Sequence, residues 1–317
     1  MKSKLGIRNR KVAVIGVGFV GSSIAYALAL RDIAREIVLI DVDHKRAEGE
    51  AKDIRHGLSS MGTPELYAGD YDDCEGCDLI IITAGRGRRP GESRFDLTGD
   101  NVAIMKEVIE KIRPHYTGGA VMIVSNPVDI LTYKAAQWLG LPNGMVFGTG
   151  CILDTSRFMR SIADYLEVST GVVHGYIVGV HADRQVPVWS HATVSGFPIA
   201  AYCKNVGLPW GKETEEAITK ATRAMAAEII RAKGKTQYGI ATCVCKLAYA
   251  ILNQYPTMMS VSSVLEGEYG VEGVALSVPS IIGPAGVQQR IEEHWSASER
   301  EGFIDAAASL KELLKGV

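Results

Sequence analysis

Long apolar runs are missing from this 317-residue chain: segments such as Leu79 to Ala84 and Val121 to Ser125 are strand-sized, against roughly 20 residues needed to cross a bilayer. That argues against a membrane location. Blocks of like charge are also missing, and the formal net charge is only -2, so no nucleic-acid or other polyanion partner is expected. Met1 to Arg10 is basic but lacks the apolar stretch of a signal peptide, which points to the cytoplasm. Cysteine is sparse, six in all, and reads as reduced thiol with no disulfide framework. Cys74 and Cys77 form C-x-x-C, but within the acidic stretch Asp72, Asp73, Glu75 and Asp78 and with no second ligand pair. Acidic neighbours raise a thiol pKa and structural zinc usually needs four ligands, so neither metal nor redox chemistry is expected there.

What the chain does have suits an α/β protein: 47% hydrophobic and 22% charged residues, with 34 glycines. Its length suits two lobes. Lys11 to Ile15 is a short β-branched run, followed at once by G-V-G-F-V-G (Gly16 to Gly21) and a helical sequence from Ser22 to Leu30. In a strand, turn and helix of this kind, Gly16 allows the turn, Gly18 lets backbone approach a pyrophosphate, and Gly21 permits close packing. A second strand, Glu36 to Ile40, ends in Asp41, twenty residues beyond Gly21, where a carboxylate can accept both ribose hydroxyls. The same charge would repel a 2′-phosphate, so NAD is favoured over NADP. Strand-like runs at Leu79 to Thr83, Ala120 to Ser125 and Met145 to Gly148 alternate with helical segments near His44 to His56 and Asn101 to Pro114. The alternation specifies a doubly wound parallel sheet, the Rossmann arrangement, with cofactor at the C-terminal strand ends.

Four residues carry the chemistry of interest. Asn126 follows the strand ending at Ser125, which places its amide beside a nicotinamide rather than in the core, the lesser alternative being a turn residue before Pro127. Asp154 and Arg157, in L-D-T-S-R-F (Leu153 to Phe158), lie three apart on one face of a starting helix, as an i,i+3 salt bridge would. His181 follows the strand-like Val173 to Gly179 in a polar segment, H-A-D-R, where a core histidine is poorly placed. A carboxylate reaching that imidazole would fix its tautomer and raise its pKa, as a general acid-base requires. Between Ala84 and Leu97 a loop with three glycines and four arginines reads either as a lid over substrate or as a solvated basic loop.

From about Lys11 to Leu314 the chain resembles the NAD-dependent L-lactate and L-malate dehydrogenase family, in its bacterial lactate dehydrogenase-like branch. The resemblance rests on G-V-G-F-V-G, Asp41, P-G-E-S-R (Pro90 to Arg94), S-N-P-V-D (Ser125 to Asp129), L-D-T-S-R-F, the His181 region and K-G-K-T-Q-Y-G-I (Lys233 to Ile240). It implies a proton exchanged between His181 and the substrate oxygen, with Asp154 paired to the histidine. It further implies that Arg157 holds the substrate carboxylate as a bidentate fork, Arg94 on the closing loop polarises the carbonyl, and Thr236 lines the pocket. The cofactor site would take in Phe19, Val20, Ala84, Gly85, Asn101 and Ser125 beside the glycines, Asp41 and Asn126. A homodimer or homotetramer is implied as well.

Within such a family the position six before the carbonyl-polarising arginine reads the substrate. Here it is Arg88, where lactate enzymes typically carry glutamine and malate enzymes arginine. A buried guanidinium facing only a methyl group would be unpaired at a cost of roughly several kcal/mol, so malate and oxaloacetate are expected ahead of lactate and pyruvate. Arg86 and Arg89 crowd the same loop, and the remaining texture, such as L-E-G-E-Y-G (Leu265 to Gly270), is that of lactate dehydrogenases. Around the histidine the family usually reads G-E-H-G-D-S, whereas this chain has G-V-H-A-D-R (Gly179 to Arg184). Ala182 would strain the backbone if a positive φ were needed there. Met159 and His174 occupy the places of an arginine and a histidine that bind fructose 1,6-bisphosphate in many bacterial relatives, so half of that anion site is missing and no activation is expected.

The first domain is expected over residues 1–150 and a mixed α+β substrate and oligomerisation domain over 151–317. The latter would have strands at Val172 to Val178, Val186 to Val194, Thr257 to Leu265 and Val274 to Val278, and helices at Lys212 to Lys233, Thr236 to Asn253 and Ser296 to Lys315. Two rival classes differ in what they need. A non-catalytic NAD-binding regulator would keep the glycine turn and Asp41 but not Arg94, Asp154, Arg157 and His181 together. An NAD-dependent glycosidase would need a metal held by Cys and His, for which no cluster is evident near Asn126.

Overall fold

The structure, a computed structural model, describes residues 10–59, 64–87, 94–182 and 184–317, with only the backbone of 94–96. Arg88, Arg89 and most of P-G-E-S-R therefore lie outside the described residues, and Arg94 is placed by its backbone alone.

The first half runs β1 (Lys11–Ile15), α1 (Phe19–Leu30), β2 (Glu36–Ile40), α2 (His44–Leu58), β3 (Glu65–Ala68), β4 (Leu79–Ile82), α3 (Arg94–Ile112), β5 (Ala120–Ile123), α4 (Val128–Leu139) and β6 (Val146–Gly148). These six strands are parallel in the order β3-β2-β1-β4-β5-β6. β4 and β5 are buried along their whole length. That burial explains L-I-I-I and A-V-M-I, continuous apolar runs in place of alternation, since helices cover both faces of the sheet. The β3 strand was not anticipated, and α3 begins at Arg94, earlier than Asn101.

The second half runs α5 (Ile152–Leu166), β7 (Val173–His174), β8 (Ile177–Gly179), β9 (Gln185–Pro187), β10 (Thr193–Val194), β11 (Phe197–Pro198), α6 (Ile199–Val206), α7 (Lys212–Lys233), α8 (Tyr238–Leu252), β12 (Thr257–Glu266), β13 (Glu272–Gly283), β14 (Gly286–Arg290) and α9 (Ala297–Leu314). Two expected strands are broken. Val172 to Val178 divides into β7 and β8, which belong to different sheets, and Val186 to Val194 divides around a 3-10 turn at Trp189–His191. Apolar content marks such segments as buried but does not say where the chain turns a corner.

Beyond β6 the sheet continues antiparallel through β12, β13, β8 and β9, so one sheet joins both halves of the chain. The joins are narrow: Ser262 pairs with Gly148, and Ser277 with Gly179. Glycine is required at that seam, because a Cβ on Gly148 would come within 2.2 Å of the Thr132 hydroxyl. Helix α5 leaves the end of β6 at this seam, and the histidine segment leaves the end of β8 beside it. No helix among the described residues is long and apolar enough to cross a membrane.

Candidate active site

The glycine turn meets the geometric demands of a dinucleotide. Gly16 has φ 89°, and a Cβ there would lie 2.5 Å from the Ala84 amide nitrogen. A Cβ on Gly21 would strike the Gly16 carbonyl at 2.0 Å. Gly18 differs, since a Cβ there would meet nothing within 4 Å. It stands in open space at the N-cap of α1, whose end carries no side-chain cap. Unpaired N–H groups at such a terminus suit a pyrophosphate. Asp41 braces the turn: Oδ2 accepts from the Val17 N–H at 2.5 Å and Oδ1 from the Asp43 N–H at 2.9 Å. Each oxygen keeps a lone pair for a ribose hydroxyl. The residues present therefore fit a bound NAD.

At the ends of β4 and β5, side chains stitch neighbouring strands together. The Thr83 hydroxyl donates to the Gly16 carbonyl and the Ser125 hydroxyl to the Ala84 carbonyl, each at 2.5 Å. Buried Asn101, on α3, donates to the Asn126 carbonyl at 2.7 Å and accepts from the Arg86 N–H at 2.9 Å. Its amide thereby ties the start of the arginine loop to the end of β5. Asn126 is exposed, and its own Oδ1 accepts weakly from the Val128 N–H at 3.3 Å.

The charged centre forms where α5 meets the segment after β8. Asp154, 3% exposed in the first turn of α5, accepts from two groups. Oδ2 lies 2.6 Å from His181 Nδ1, and Oδ1 lies 3.2 Å from Arg157 Nη1. The i,i+3 pair expected from the sequence does form, but the carboxylate serves the imidazole with its other oxygen. Burial pulls the His181 pKa down, and the charge and hydrogen bond of Asp154 outweigh it, so the imidazole sits above its ordinary value. Burial likewise opposes ionisation of Asp154, yet His181 and Arg157 hold that carboxyl below the usual range. The pair is arranged to carry a proton on Nε2, which the hydrogen bond to Nδ1 leaves available.

A cavity of about 600 Å3 joins the two halves. Asp154, Arg157, His181, Asn126 and Thr236 line it, as do Val20, Gly85, Asn101 and Ser125 from the cofactor set. Gly16, Gly18, Phe19, Gly21, Asp41 and Ala84 are not on its wall; the glycines and Phe19 make the turn into α1, and Asp41 and Ala84 flank it from beyond the ends of β2 and β4. Two further charged residues reach the wall: Arg223, which went unremarked in the sequence, and Arg86, noted there only as crowding the loop. Arg223, on α7, donates to the Gln185 carbonyl at 2.9 Å, just past the histidine segment. Arg86 pairs with Asp100 through Nη2 at 2.5 Å. Neither carries a local signal, because arginines on a long helix and in a basic loop are ordinarily solvated.

Ala182 beside the histidine has φ 77° and is exposed, so the left-handed conformation that favours glycine is present with alanine in it. Val180 is partly buried against the β8 and β13 cluster. Lys235, between α7 and α8, stands 3.6 Å from the ring centroid of Phe19, over the glycine turn. Cys74 and Cys77 are both buried with thiol pKa values pushed up to about 12, and burial rather than the acidic neighbours is the principal cause.

Comparison with known proteins accords with this layout. Residues 10–148 match the lactate/malate dehydrogenase NAD binding domain, and residues 151–317 match the lactate/malate dehydrogenase alpha/beta C-terminal domain. An L-lactate dehydrogenase of Priestia megaterium is 42% identical over 313 residues, 98% of each chain. One from Geobacillus kaustophilus is 41% identical over 308 residues, 97% of each. Among solved structures, the minor L-lactate dehydrogenase from Enterococcus mundtii matches with a TM-score of 0.94 at 39% identity, covering 98% of this chain and 99% of that one. With both halves matched, the chain belongs to the lactate/malate dehydrogenase family and is an NAD-dependent oxidoreductase acting on a CH–OH group.

Proposed function

We propose that this enzyme is an L-lactate dehydrogenase, reducing pyruvate reversibly to L-lactate. The observation that carries the mechanism is the Asp154–His181 pair, closed at 2.6 Å on the wall of a cavity that Arg157 and Asn126 share. NAD, when held by the glycine turn and Asp41, would supply or accept the hydride at the substrate C2. His181 gives its Nε2 proton to the forming alkoxide, or takes it from the hydroxyl in reverse, while Asp154 holds the ring and its charge. Arg157 spends one N–H on Asp154 and keeps others for the substrate carboxylate, a fork that fixes orientation. Arg94, whose backbone begins α3, would polarise the carbonyl. Asn126 would hold the nicotinamide side and Thr236 the substrate side of the pocket, with Gly16, Gly18, Phe19, Val20, Gly21, Asp41, Ala84, Gly85, Asn101 and Ser125 around the cofactor.

The names of the relatives support lactate over malate, which reverses the preference drawn from Arg88. A second reading, malate and oxaloacetate, keeps that guanidinium as its support. Comparing kcat/KM for pyruvate and oxaloacetate, in the natural enzyme and in Arg88→Gln, decides between them. Pyruvate preferred by the natural enzyme, with little change in the variant, supports lactate. Oxaloacetate preferred by on the order of 100-fold or more, and the preference lost in Arg88→Gln, replaces it with malate. We also propose the division into residues 1–150 and 151–317, assembly as a homodimer or homotetramer, and a cytoplasmic location.

A further inference from the structure

Asp129, in the first turn of α4, has no task in the scheme above, yet it is 3% exposed and carries a carboxyl. Its two oxygens are used unequally. Oδ2 accepts the backbone N–H of His181 at 2.8 Å, while Oδ1 has no hydrogen-bond partner. Two hydroxyls share this condition: Thr132, one turn along the same helix, and Ser262, on β12 at the seam with Gly148, are each fully buried with the oxygen unpartnered. A carboxylate set here is costly to ionise. Burial pushes its pKa up to about 6, against the hydrogen bond of the His181 amide and the charge of the His181 ring.

Holding one N–H needs only an oxygen, which a neutral side chain provides without that cost. The charge needs its own reason, and the position supplies one, because Asp129 grips the backbone of the residue whose side chain carries the proton. The charge of Asp129 raises the His181 pKa in the same sense as Asp154, though less. We propose that Asp129 is a positioning residue for the proton transfer, pinning the His181 backbone so that Nδ1 stays on Asp154 and adding a second negative charge that favours the imidazolium. The proposal rests on the dehydrogenase reading of His181. Other charged groups face the same imidazole. Asp154 and Arg157 approach from α5, and Arg86 and Arg223 stand on the cavity wall. Cys151 stays a neutral thiol, because burial and then the two aspartates push its pKa up.

The test is the pH profile of kcat/KM for the 2-oxo acid at saturating NADH, with full-length natural enzyme, Asp129→Asn and Asp129→Ser. Asparagine keeps an oxygen for the His181 N–H and removes only the charge. Reduction needs protonated His181, so its basic limb should move to lower pH by on the order of one unit in Asp129→Asn. The melting temperature at pH 7 should not fall, since a charge that burial opposes has been removed. Asp129→Ser, which also keeps an oxygen and removes the charge, should move the limb in the same direction. A limb that stays in place in Asp129→Asn, or a uniform loss at every pH, overturns the proposal. Where Asp129→Asn does not fold, an unmoved limb in Asp129→Ser overturns it. A second readout needs no turnover: the pH dependence of diethyl pyrocarbonate modification at His181, followed by peptide mass, should shift with the kinetic limb. Natural enzyme that turns over no 2-oxo acid defeats the dehydrogenase reading instead, and an unmoved modification profile would still defeat this proposal separately.

Discussion

Replacing Asp154 by asparagine tests the centre of the mechanism most directly. The carboxylate is 3% exposed and lies 2.6 Å from His181 Nδ1, so the centres of the two charges are close to 4 Å apart. At the effective dielectric that suits such pairs, two unit charges at that distance attract by about 4 kcal/mol, or about three pH units of imidazole titration. Part of that attraction offsets the burial of the ring, and in the variant Arg157 remains as an uncompensated cation beside it. We therefore expect the basic limb of 2-oxo acid reduction to move down by about two units. At a pH above both limbs kcat/KM should fall on the order of 100-fold, and it should recover as the pH is lowered. The overall equilibrium is unaltered, so oxidation of the hydroxy acid must fall by the same factor at the same pH if cofactor affinity is unchanged. The position of the limb is consequently the diagnostic quantity, followed by steady-state NADH absorbance from acid to alkaline pH together with NADH binding by fluorescence. A loss under about 10-fold with the limb in place would refute the electrostatic account of Asp154. The same pair sets a sign for stability. His181 is raised, so its contribution is present below its ordinary value and disappears as pH rises through the raised one. Asp154 is lowered, so its contribution is present above the ordinary carboxylate range and disappears as pH falls through its depressed value.

Three further outcomes follow from individual contacts. Ala182→Gly should relieve about 1 kcal/mol of left-handed strain at φ 77° and raise the melting temperature by one or two degrees, measured by calorimetry; a fall would show that the neighbouring chain already accommodates the alanine. Arg223→Met removes the hydrogen bond at 2.9 Å that ties α7 to the Gln185 carbonyl, and should raise KM for the 2-oxo acid about 10-fold or more while changing kcat less; an equal fall in kcat would place Arg223 in the chemical step instead. Fructose 1,6-bisphosphate should leave the half-saturating substrate concentration unchanged, because Met159 stands where an anion-binding arginine is expected; a large drop would overturn that reading.

Much of the first half was legible because its signals are local. A β-branched run, a glycine turn and a carboxylate at the next strand end are each set by nearest-neighbour geometry, and the parallel order follows once strands alternate with helices. The helical face shared by Asp154 and Arg157 was legible for the same reason. The second half was harder. Val172 to Val178 has the composition of one strand, but the chain changes sheets between His174 and Ile177. Asp129 could have been noticed as an acid in an apolar run, yet nothing within its own segment says that it holds an amide 52 residues away. Arg223 is invisible for a similar reason, since its partner is a backbone carbonyl 38 residues earlier in the chain.

The sequence by itself determined the family, the dinucleotide turn and which side chains would carry charge, because motif order and helical spacing are properties of the chain. Tertiary structure alone decided what those charges do to each other. The pKa of His181 depends on burial, on Asp154 at 2.6 Å and on the charge of Asp129, and those carboxylates come from different helices. The physical reason is distance: electrostatic and hydrogen-bond energies depend on separations of a few ångströms, which here are set where β6 meets β12 and β8 meets β13, far apart along the chain.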